Sequence, residues 1–279
     1  MASVGIKINI LLDGSVEEGS KIIPLDQLKI ILSIALLTYA SWRDLRSRYV
    51  PDKVWLIFAP LGAGITLFQG FSLGIEYLKN VALSFLIISA LSIIIFYLDL
   101  FGGADVKALM CLSLTLPYPP LMPLYKAGLV LPLFTLTIFN NAILLSASIS
   151  LIILFYNVYC RMRGERLFEG LESESKFKKL IALLIGYRVS PSKIVNSDFI
   201  YPIEEVTLSS DGSISRKLRI SPRIGDENYE FLDFLNKEEY SGIRVWASPT
   251  LPFIVFIALG LIAALLFGDL ILLILKGAL

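Results

Sequence analysis

The sequence predicts an all-α polytopic membrane protein with about six transmembrane helices and a small α+β cytoplasmic insert before the last helix. The chain of 279 residues is 56% hydrophobic and only 18% charged, whereas soluble domains carry about 25% charged residues. Residues 161–247 hold 14 of the 25 Lys and Arg and 14 of the 24 Asp and Glu. The remaining chain is therefore apolar enough for a membrane body, and a soluble enzyme is excluded.

The residue types exclude several kinds of chemistry. The chain has no histidine, which removes Ser-His-Asp and Cys-His catalysis and every histidine metal site. Cys111 and Cys160 lie far apart in apolar stretches, so we expect two small core residues rather than a zinc site or a disulfide. The net charge of +1 gives no reason to expect nucleic acid as a partner. No metal and no cofactor are predicted.

Residues 1–24 form an N-terminal extension that does not resemble a signal peptide, because its apolar run is short and acidic residues follow. Alternating apolar residues over 4–10 favour a short strand or an interfacial segment.

Residues 25–160 are predicted to hold five membrane helices, and residues 248–279 a sixth. A membrane helix needs about 20 mostly apolar residues, and the fourth candidate is shorter than that. Several prolines between 117 and 132 interrupt the chain, so residues 117–136 are expected to end the fourth helix and to form a loop or an interfacial piece. The six candidates are Leu25–Trp42, Val54–Gln69, Leu78–Leu98, Val106–Leu116, Phe139–Cys160 and Leu251–Leu275.

The charged insert, residues 161–247, is expected to be a small α+β domain. Gly186–Ile224 favours short strands, with a hairpin around the turn at 209–213. Asp226–Glu239 has the apolar spacing of a short amphipathic helix.

Basic residues predict the orientation. One cluster follows the first span and a second follows the fifth span, and basic loops mark the cytoplasmic side. With six crossings, both clusters, the insert and the loop Phe101–Asp105 lie in the cytoplasm, and both chain ends lie outside. The clusters are Arg43, Arg46, Arg48 and Lys53, then Arg161, Arg163 and Arg166.

Acidic residues near the apolar body are notable because a charge in a membrane is unfavourable. Asp26, Glu76 and Asp269 lie at span ends and are predicted to be solvated. Asp52 follows Pro51 and is predicted to cap the second span. Asp99 is too close to Asp105 in sequence to be its partner.

Asp44 and Asp105 can each be explained by a structural role of its own. Together they can also be explained by a shared catalytic role. Asp44 can pair with a neighbouring arginine, and Asp105 can be an N-cap. Both residues, however, are predicted to lie at the cytoplasmic ends of helices that can pack together. Gly102 and Gly103 would allow a tight turn and a close approach of another chain. Two facing carboxyl groups share one proton, so one can take a proton from water while the other polarises a peptide carbonyl.

These residues resemble the archaeal preflagellin and type IV prepilin peptidases, which are membrane aspartyl proteases of the GxGD type. The resemblance rests on Asp44 followed by a basic loop and Pro51, and on the stretch from Gly102 to Leu109. It implies that Asp44 and Asp105 are the catalytic aspartates. It further implies endopeptidase cleavage of short, positively charged leaders from archaellin and pilin precursors at the cytoplasmic membrane face.

The chain departs from the family pattern at two points. Ala104 replaces the second glycine of GxGD within the expected active-site loop Gly102–Ala104. The tetracysteine zinc site of many bacterial relatives is missing, as is any region for N-methyl transfer, so proteolysis alone is expected. Lys107 and Pro51 are weaker candidates for substrate contacts, and a surface lysine is the simpler explanation of Lys107.

Two other functions stay open at this point. Interfacial carboxylates also serve proton-coupled transporters, although no acid lies in the middle of a span and no inverted repeat is visible. A scaffold without catalysis, whose insert binds partners, is the third possibility.

Overall fold

The computed structural model describes residues 16–98, 101–120, 129–197, 199–208, 214–219 and 243–278. The chain divides into two units, Met1–Leu145 with Pro252–Leu279, and Ser146–Leu251. The predicted N-terminal strand, Asp99 and the predicted helix Asp226–Glu239 lie outside the described residues.

The described chain is mostly helical. In chain order the helices are α1 Val16–Ser47, α2 Asp52–Leu73, α3 Ile75–Tyr97, α4 Gly103–Thr115, α5 Phe134–Met162, α6 Lys176–Ile185, α7 Pro191–Val195, α8 Phe253–Phe267 and α9 Leu270–Ala278.

Among the described helices, three are long and apolar enough to cross a membrane, namely α2, α3 and α5. The bent pair α8 and α9 makes a fourth if it counts as one span. The helix α4 has only 13 residues, which is about 20 Å of helix against roughly 30 Å of hydrocarbon. A membrane protein built mainly of helices is therefore supported, whereas six full crossings stay a prediction.

Several helix boundaries differ from the predicted ones, and three of these differences are the largest. The first helix begins at Val16 rather than Leu25, and Pro24 lies inside it. The fifth begins at Phe134 rather than Phe139, because no proline follows Pro132 to delay it. The last predicted span is not one helix but two, which meet at an angle of 52°.

Polar side chains stabilise the break between α8 and α9 by hydrogen bonding to the backbone groups there. Gly268 has φ 79°, and the fully buried Asp269 accepts hydrogen bonds from the backbone N–H groups of Ile271 and Leu272 at 3.0 and 3.1 Å. Asn141 donates to the Gly268 carbonyl at 2.9 Å and accepts from the Leu270 N–H at 2.8 Å. The prediction that Asp269 is solvated is therefore wrong, because the helix break supplies its partners.

A buried polar network joins α1, α2 and α3. Lys29 Nζ lies 3.3 Å from Asp26 and donates to Gln69 Oε1 at 2.6 Å. Gln69 also donates to Asp26 at 3.1 Å and accepts from the Tyr77 hydroxyl at 3.1 Å. Asp26 is 6% exposed, so its predicted solvation is wrong, whereas Glu76 is exposed as predicted.

Packing in the first unit brings α8 against α5 at a glycine. A Cβ at Gly260 would lie 2.5 Å from the Ile138 carbonyl oxygen and 2.9 Å from the Ala142 nitrogen. Only glycine therefore permits this backbone approach.

The second unit contains five described strands around a small core of Leu171, Ile203 and Trp246. One sheet has the order β1-β5-β2, and β3 pairs with β4 in the predicted hairpin. The strands are β1 Tyr187–Val189, β2 Ile200–Pro202, β3 Glu204–Leu208, β4 Ile214–Leu218 and β5 Val245–Pro249.

Candidate active site

Asp44 lies near the end of α1, which continues past the predicted end at Trp42 to Ser47. The next residue, Arg48, has φ 51° and donates its backbone N–H to the Asp44 carbonyl at 3.0 Å. This left-handed residue ends the helix. It also turns the guanidinium back, so that Nη1 lies 3.9 Å from Asp44 Oδ2. Of the three arginines expected as partners, Arg48 is the one that pairs with Asp44.

Asp105 lies in the first turn of α4, which begins at Gly103 rather than Val106. Gly102 is the N-cap, so the prediction that Asp105 itself occupies that position is wrong. Instead Asp105 Oδ2 accepts the backbone N–H of Gly102 at 3.0 Å, which is the reciprocal half of a capping box. The side chain is only 9% exposed.

The glycines before Asp105 do not supply the tight turn that the sequence suggested. Gly102 has φ −73° and ψ 159°, an extended conformation open to any residue. A Cβ there would lie 3.4 Å from Asp105 Oδ2, and a Cβ at Gly103 would lie 3.8 Å from the Phe96 ring. In this conformation Gly102 therefore leaves room beside the carboxylate.

The two aspartates and Arg48 influence one another electrostatically. Both aspartates lie outside the predicted spans. Burial raises the pKa of Asp105 to about 7, the charge of Asp44 raises it too, and the Gly102 N–H and Arg48 oppose the change. Burial also raises the pKa of Asp44, against the effect of Arg48. Burial lowers the pKa of Arg48, and the charges of both aspartates raise it.

Two carboxyl groups that interact in this way, next to an arginine, can have one member protonated and the other ionised near neutral pH. A carboxyl with a pKa of about 7 can donate a hydrogen bond to a carbonyl oxygen, while an ionised neighbour accepts a proton from water. The chemistry available here is thus general acid and general base catalysis by two carboxyl groups.

Asp52 and Lys107 form an ion pair at the start of α2, and Pro51 directly precedes Asp52. Pro51 is the N-cap residue of α2, without a side-chain cap, and Asp52 begins the helix. The prediction that Asp52 caps this helix is wrong, because its carboxylate pairs with Lys107 at 2.6 Å. Both side chains are substantially exposed, at 72% and 45%. Lys107 is a paired surface lysine on the helix that carries Asp105.

Sequence reasoning missed two features of this region. The sequence analysis did not favour Arg48 over Arg43 and Arg46 as the partner of Asp44, although its position four residues after Asp44 places it one helical turn away. The buried Trp55 gave no sequence signal. Cys111 and Cys160 are buried, which confirms them as core residues. The described residues bring no group of three Cys, Asp or Glu side chains together as metal ligands.

Two models of known protein families match this chain. Residues 31–160 match the family model described as the type IV leader peptidase family. Residues 178–270 match the model described as archaeal peptidase A24 C-terminus, type II.

Curated relatives cover most of the chain. A preflagellin peptidase of Methanococcus voltae is 26% identical over 242 residues, which are 84% of this chain and 92% of that protein. One from Methanocaldococcus jannaschii is 26% identical over 247 residues, or 86% and 93%. An uncharacterized protein of the latter organism is 32% identical over 181 residues, or 65% and 55%.

Apolar helices together with two peptidase family matches define the class as a membrane peptidase. The chain belongs to the archaeal preflagellin peptidase and type IV prepilin peptidase family.

Proposed function

We propose that the protein is a membrane aspartic endopeptidase that removes short basic leader peptides from archaellin and type IV pilin-like precursors. Asp44 and Asp105 activate the water, and the reaction takes place at the cytoplasmic face of the membrane. The observation that carries the proposal is the electrostatic coupling of these two carboxyl groups, with the pKa of Asp105 near 7. The names of the preflagellin peptidase relatives support the substrate class.

The reaction needs only the two carboxyl groups and water. The ionised aspartate takes a proton from water as the water oxygen attacks the scissile carbonyl carbon, and the protonated aspartate donates to the carbonyl oxygen. The carbon–nitrogen bond then breaks as the leaving amine takes up the proton that came from the water. The proton on the former carbonyl oxygen returns to the pair, which again has one protonated and one ionised carboxyl group. We assign no proton to either aspartate individually, because a coupled pair titrates as a unit.

The substrate chain has to be opened at the cut bond, since carbonyl groups in a helix are already hydrogen-bonded. A site at the membrane surface favours this opening, because the freed backbone groups can bond to water or to the enzyme. The basic loop after α1 supports a cytoplasmic site. Methyl transfer is not part of the proposed activity, and the bilayer is the only other partner proposed.

Leader removal from a precursor tests the proposal directly. Membranes containing the protein are incubated with an archaellin or pilin precursor, and the shortened product is followed on gels. Asp44→Asn and Asp105→Asn should each lower the rate by roughly 10²–10⁴-fold, as expected for loss of a general acid or base.

Glu76→Gln is the matched control, because Glu76 is exposed and pairs only with Lys79 among the ion pairs of the described chain. It should cut at the normal rate. Full activity of either aspartate variant would remove that residue from the mechanism, and an uncut precursor with the unaltered protein would overturn the proposal.

A further inference from the structure

Four phenylalanine rings of the first unit form a cluster where the loop before Asp105 meets α5 and α8. The centroid of the Phe101 ring lies 4.1 Å from that of the Phe253 ring, with 31° between the ring planes. Phe101 also meets the Phe139 ring edge-on, at 5.9 Å and 75°. Phe139 contacts Phe253 at 6.5 Å, and Phe256 contacts Phe253 at 6.5 Å. The loop residue Phe101 is therefore in contact with rings from two other helices.

The partner rings of Phe101 belong to the packed core. Phe139 lies in the second turn of α5 and is 8% exposed, and Phe253 is the first residue of α8 and is 5% exposed. Stacked and edge-to-face ring pairs are more favourable than their buried area alone explains, and they prefer defined geometries. The Phe101 ring therefore has a defined position relative to both helices.

Phe101 has the nearest large side chain before Asp105. Gly102 and Gly103 have no side chain and Ala104 has one methyl group, and glycine leaves the backbone many conformations. The Gly102 N–H nevertheless donates to Asp105 Oδ2 at 3.0 Å, and its carbonyl accepts the Asp105 N–H at 3.1 Å. This Gly102 N–H lies in the same planar peptide unit as the Phe101 Cα. The anchored ring therefore holds one end of the peptide unit that bonds to the Asp105 carboxyl group.

We propose that Phe101 is a positioning residue for Asp105, because its ring contacts with Phe139 and Phe253 keep the Gly102 N–H on the Asp105 carboxyl group. The proposal rests on the proposed function. With Oδ2 held by this N–H, the plane of the carboxyl group is fixed, and Oδ1 is presented to the water or to the scissile carbonyl. A misplacement of about 1 Å can lower a rate about 100-fold, so a ring that touches no reacting atom can still control the reaction.

The ring cluster acts on the site through geometry and not through charge, since none of its four side chains titrates. Among the described residues, the charged side chains that act on the pKa of Asp105 are those of Asp44 and Arg48. Asp52 at the start of α2 is paired with Lys107. The charges of α3 lie in its first five residues, α8 has none, and α5 has none before residue 161. Replacing a ring of the cluster therefore changes no charge near the proposed catalytic pair.

Leader removal by Phe101 variants tests the positioning role. Phe101→Ala should lower kcat about 10–100-fold with KM nearly unchanged, because the orientation of Asp105 matters in the transition state. An N–H bonded to a carboxylate favours its ionised form. Weakening the Gly102 bond should therefore move the profile of kcat/KM against pH to higher pH, by about one unit. Phe101→Tyr keeps the ring and should restore both kcat and the profile.

Phe256→Ala is the matched control, because it removes the same side chain from the same cluster. Phe256 is 9% exposed and contacts the Phe253 ring, and among the ring pairs of the described chain it has none with Phe101. Its profile should stay in place, since the position of a profile on the pH axis does not depend on how much protein is folded. If Phe101→Ala does not fold, Phe101→Leu should show a smaller shift in the same direction. An unmoved profile in the Phe101 variants, or an equal shift in Phe256→Ala, would overturn the positioning role.

Thermal unfolding in detergent provides a readout that needs no cutting. The Asp105 contribution to stability falls with rising pH up to its folded pKa of about 7. In Phe101→Ala this fall in Tm should continue about one pH unit further. With Asp105→Asn present, Phe101→Ala should leave the pH dependence of Tm unchanged. Equal pH dependence with and without Phe101→Ala would overturn this proposal, whereas the expected shift in an unaltered protein that cuts no precursor would overturn the proposed function alone.

Discussion

Arg48 carries the positive charge that acts on both aspartates of the candidate active site. Its left-handed backbone conformation holds the guanidinium next to Asp44. Because a nearby cation favours the ionised form of a carboxyl group, Arg48 opposes the effect of burial on both pKa values. We therefore propose that Arg48 is a positioning residue that sets the pH range of the proposed catalytic pair.

Replacing Arg48 by Gln should move the whole pH–rate profile of leader removal to higher pH. Without the cation the pKa values of both carboxyl groups rise further, so a higher pH is needed to ionise one of them. The measurement is kcat/KM against pH. Arg46→Gln is the control, since Arg46 instead lies over the Trp42 ring at 5.7 Å. A profile that Arg48→Gln leaves unmoved would contradict the role.

Asp105 should also make stability depend on pH. Its pKa is about 7 in the folded chain against 3.8 in the ordinary case. Between these values the folded protein holds a proton that the unfolded chain has lost, so stability falls as pH rises. Asp105→Asn removes this contribution. Thermal unfolding in detergent should therefore show a smaller loss of Tm from pH 4.5 to 7.5 in the variant; equal losses would contradict it.

Single residues of the site differ in how far the sequence predicts them. Asp44 and Asp105 follow from a resemblance carried by short motifs, and they stay a prediction that the mutants test. The choice of Arg48 among three arginines depends on where α1 ends, and hydropathy places that end five residues too early. The burial of Trp55 depends on neighbours from other helices, which no local pattern reports.

At the scale of helices and strands, an ion pair can determine whether a charged side chain is buried or exposed. The sequence predicted that Asp26 is a solvated residue at a span end because it is charged. In the structure Asp26 and Lys29 pair with one another and both bond to Gln69, so all three are buried. A hydropathy sum cannot find such a network, because it adds residues one at a time. The β3–β4 hairpin was predictable, since both strands and the turn are adjacent in sequence.

Lys29→Met should destabilise the protein by about 3–5 kcal/mol, because it removes the cation 3.3 Å from the buried Asp26 carboxylate. The measurement is the free energy of unfolding in detergent. Lys79→Met is a matched control, since Lys79 pairs with Glu76 at the same three-residue spacing but is 62% exposed. It should change stability by about 0–1 kcal/mol. Equal effects of the two variants would show that the buried network contributes nothing special.

At the scale of the whole molecule, the sequence predicted the class of fold better than the number of crossings. Composition is a sum over many residues, so it identifies an apolar helical body with a charged insert despite local errors. The count depends on three ambiguous segments, namely α1, which is not among the described helices that are apolar enough to cross, the short α4 and the broken α8–α9 pair. The buried charges of α1 and the break between α8 and α9 are stabilised by side-chain hydrogen bonds, which hydropathy does not count.

The proposed orientation predicts that the two ends of α2 face opposite sides of the membrane. Ser47 and Ser72 are both exposed and lie near those ends. With a membrane-impermeant maleimide, Ser47→Cys should be labelled only in inside-out vesicles and Ser72→Cys only from outside intact cells. The native Cys111 and Cys160 are buried and serve as background. Labelling of both variants from one side would mean that α2 does not cross.

In the proposed arrangement, in which α8 and α9 form one span, the hinge at Gly268 and Asp269 also matches the length of the last apolar run to the thickness of a bilayer. An unbroken helix from the start of α8 to the end of α9 would be about 39 Å long, several ångströms longer than a hydrocarbon layer of about 30 Å. With 15 residues before the hinge, 9 after it and an angle of 52° between them, the reach along α8 is about 31 Å. Hydrophobic mismatch is thereby relieved within the chain, without tilting the segment or deforming the lipid.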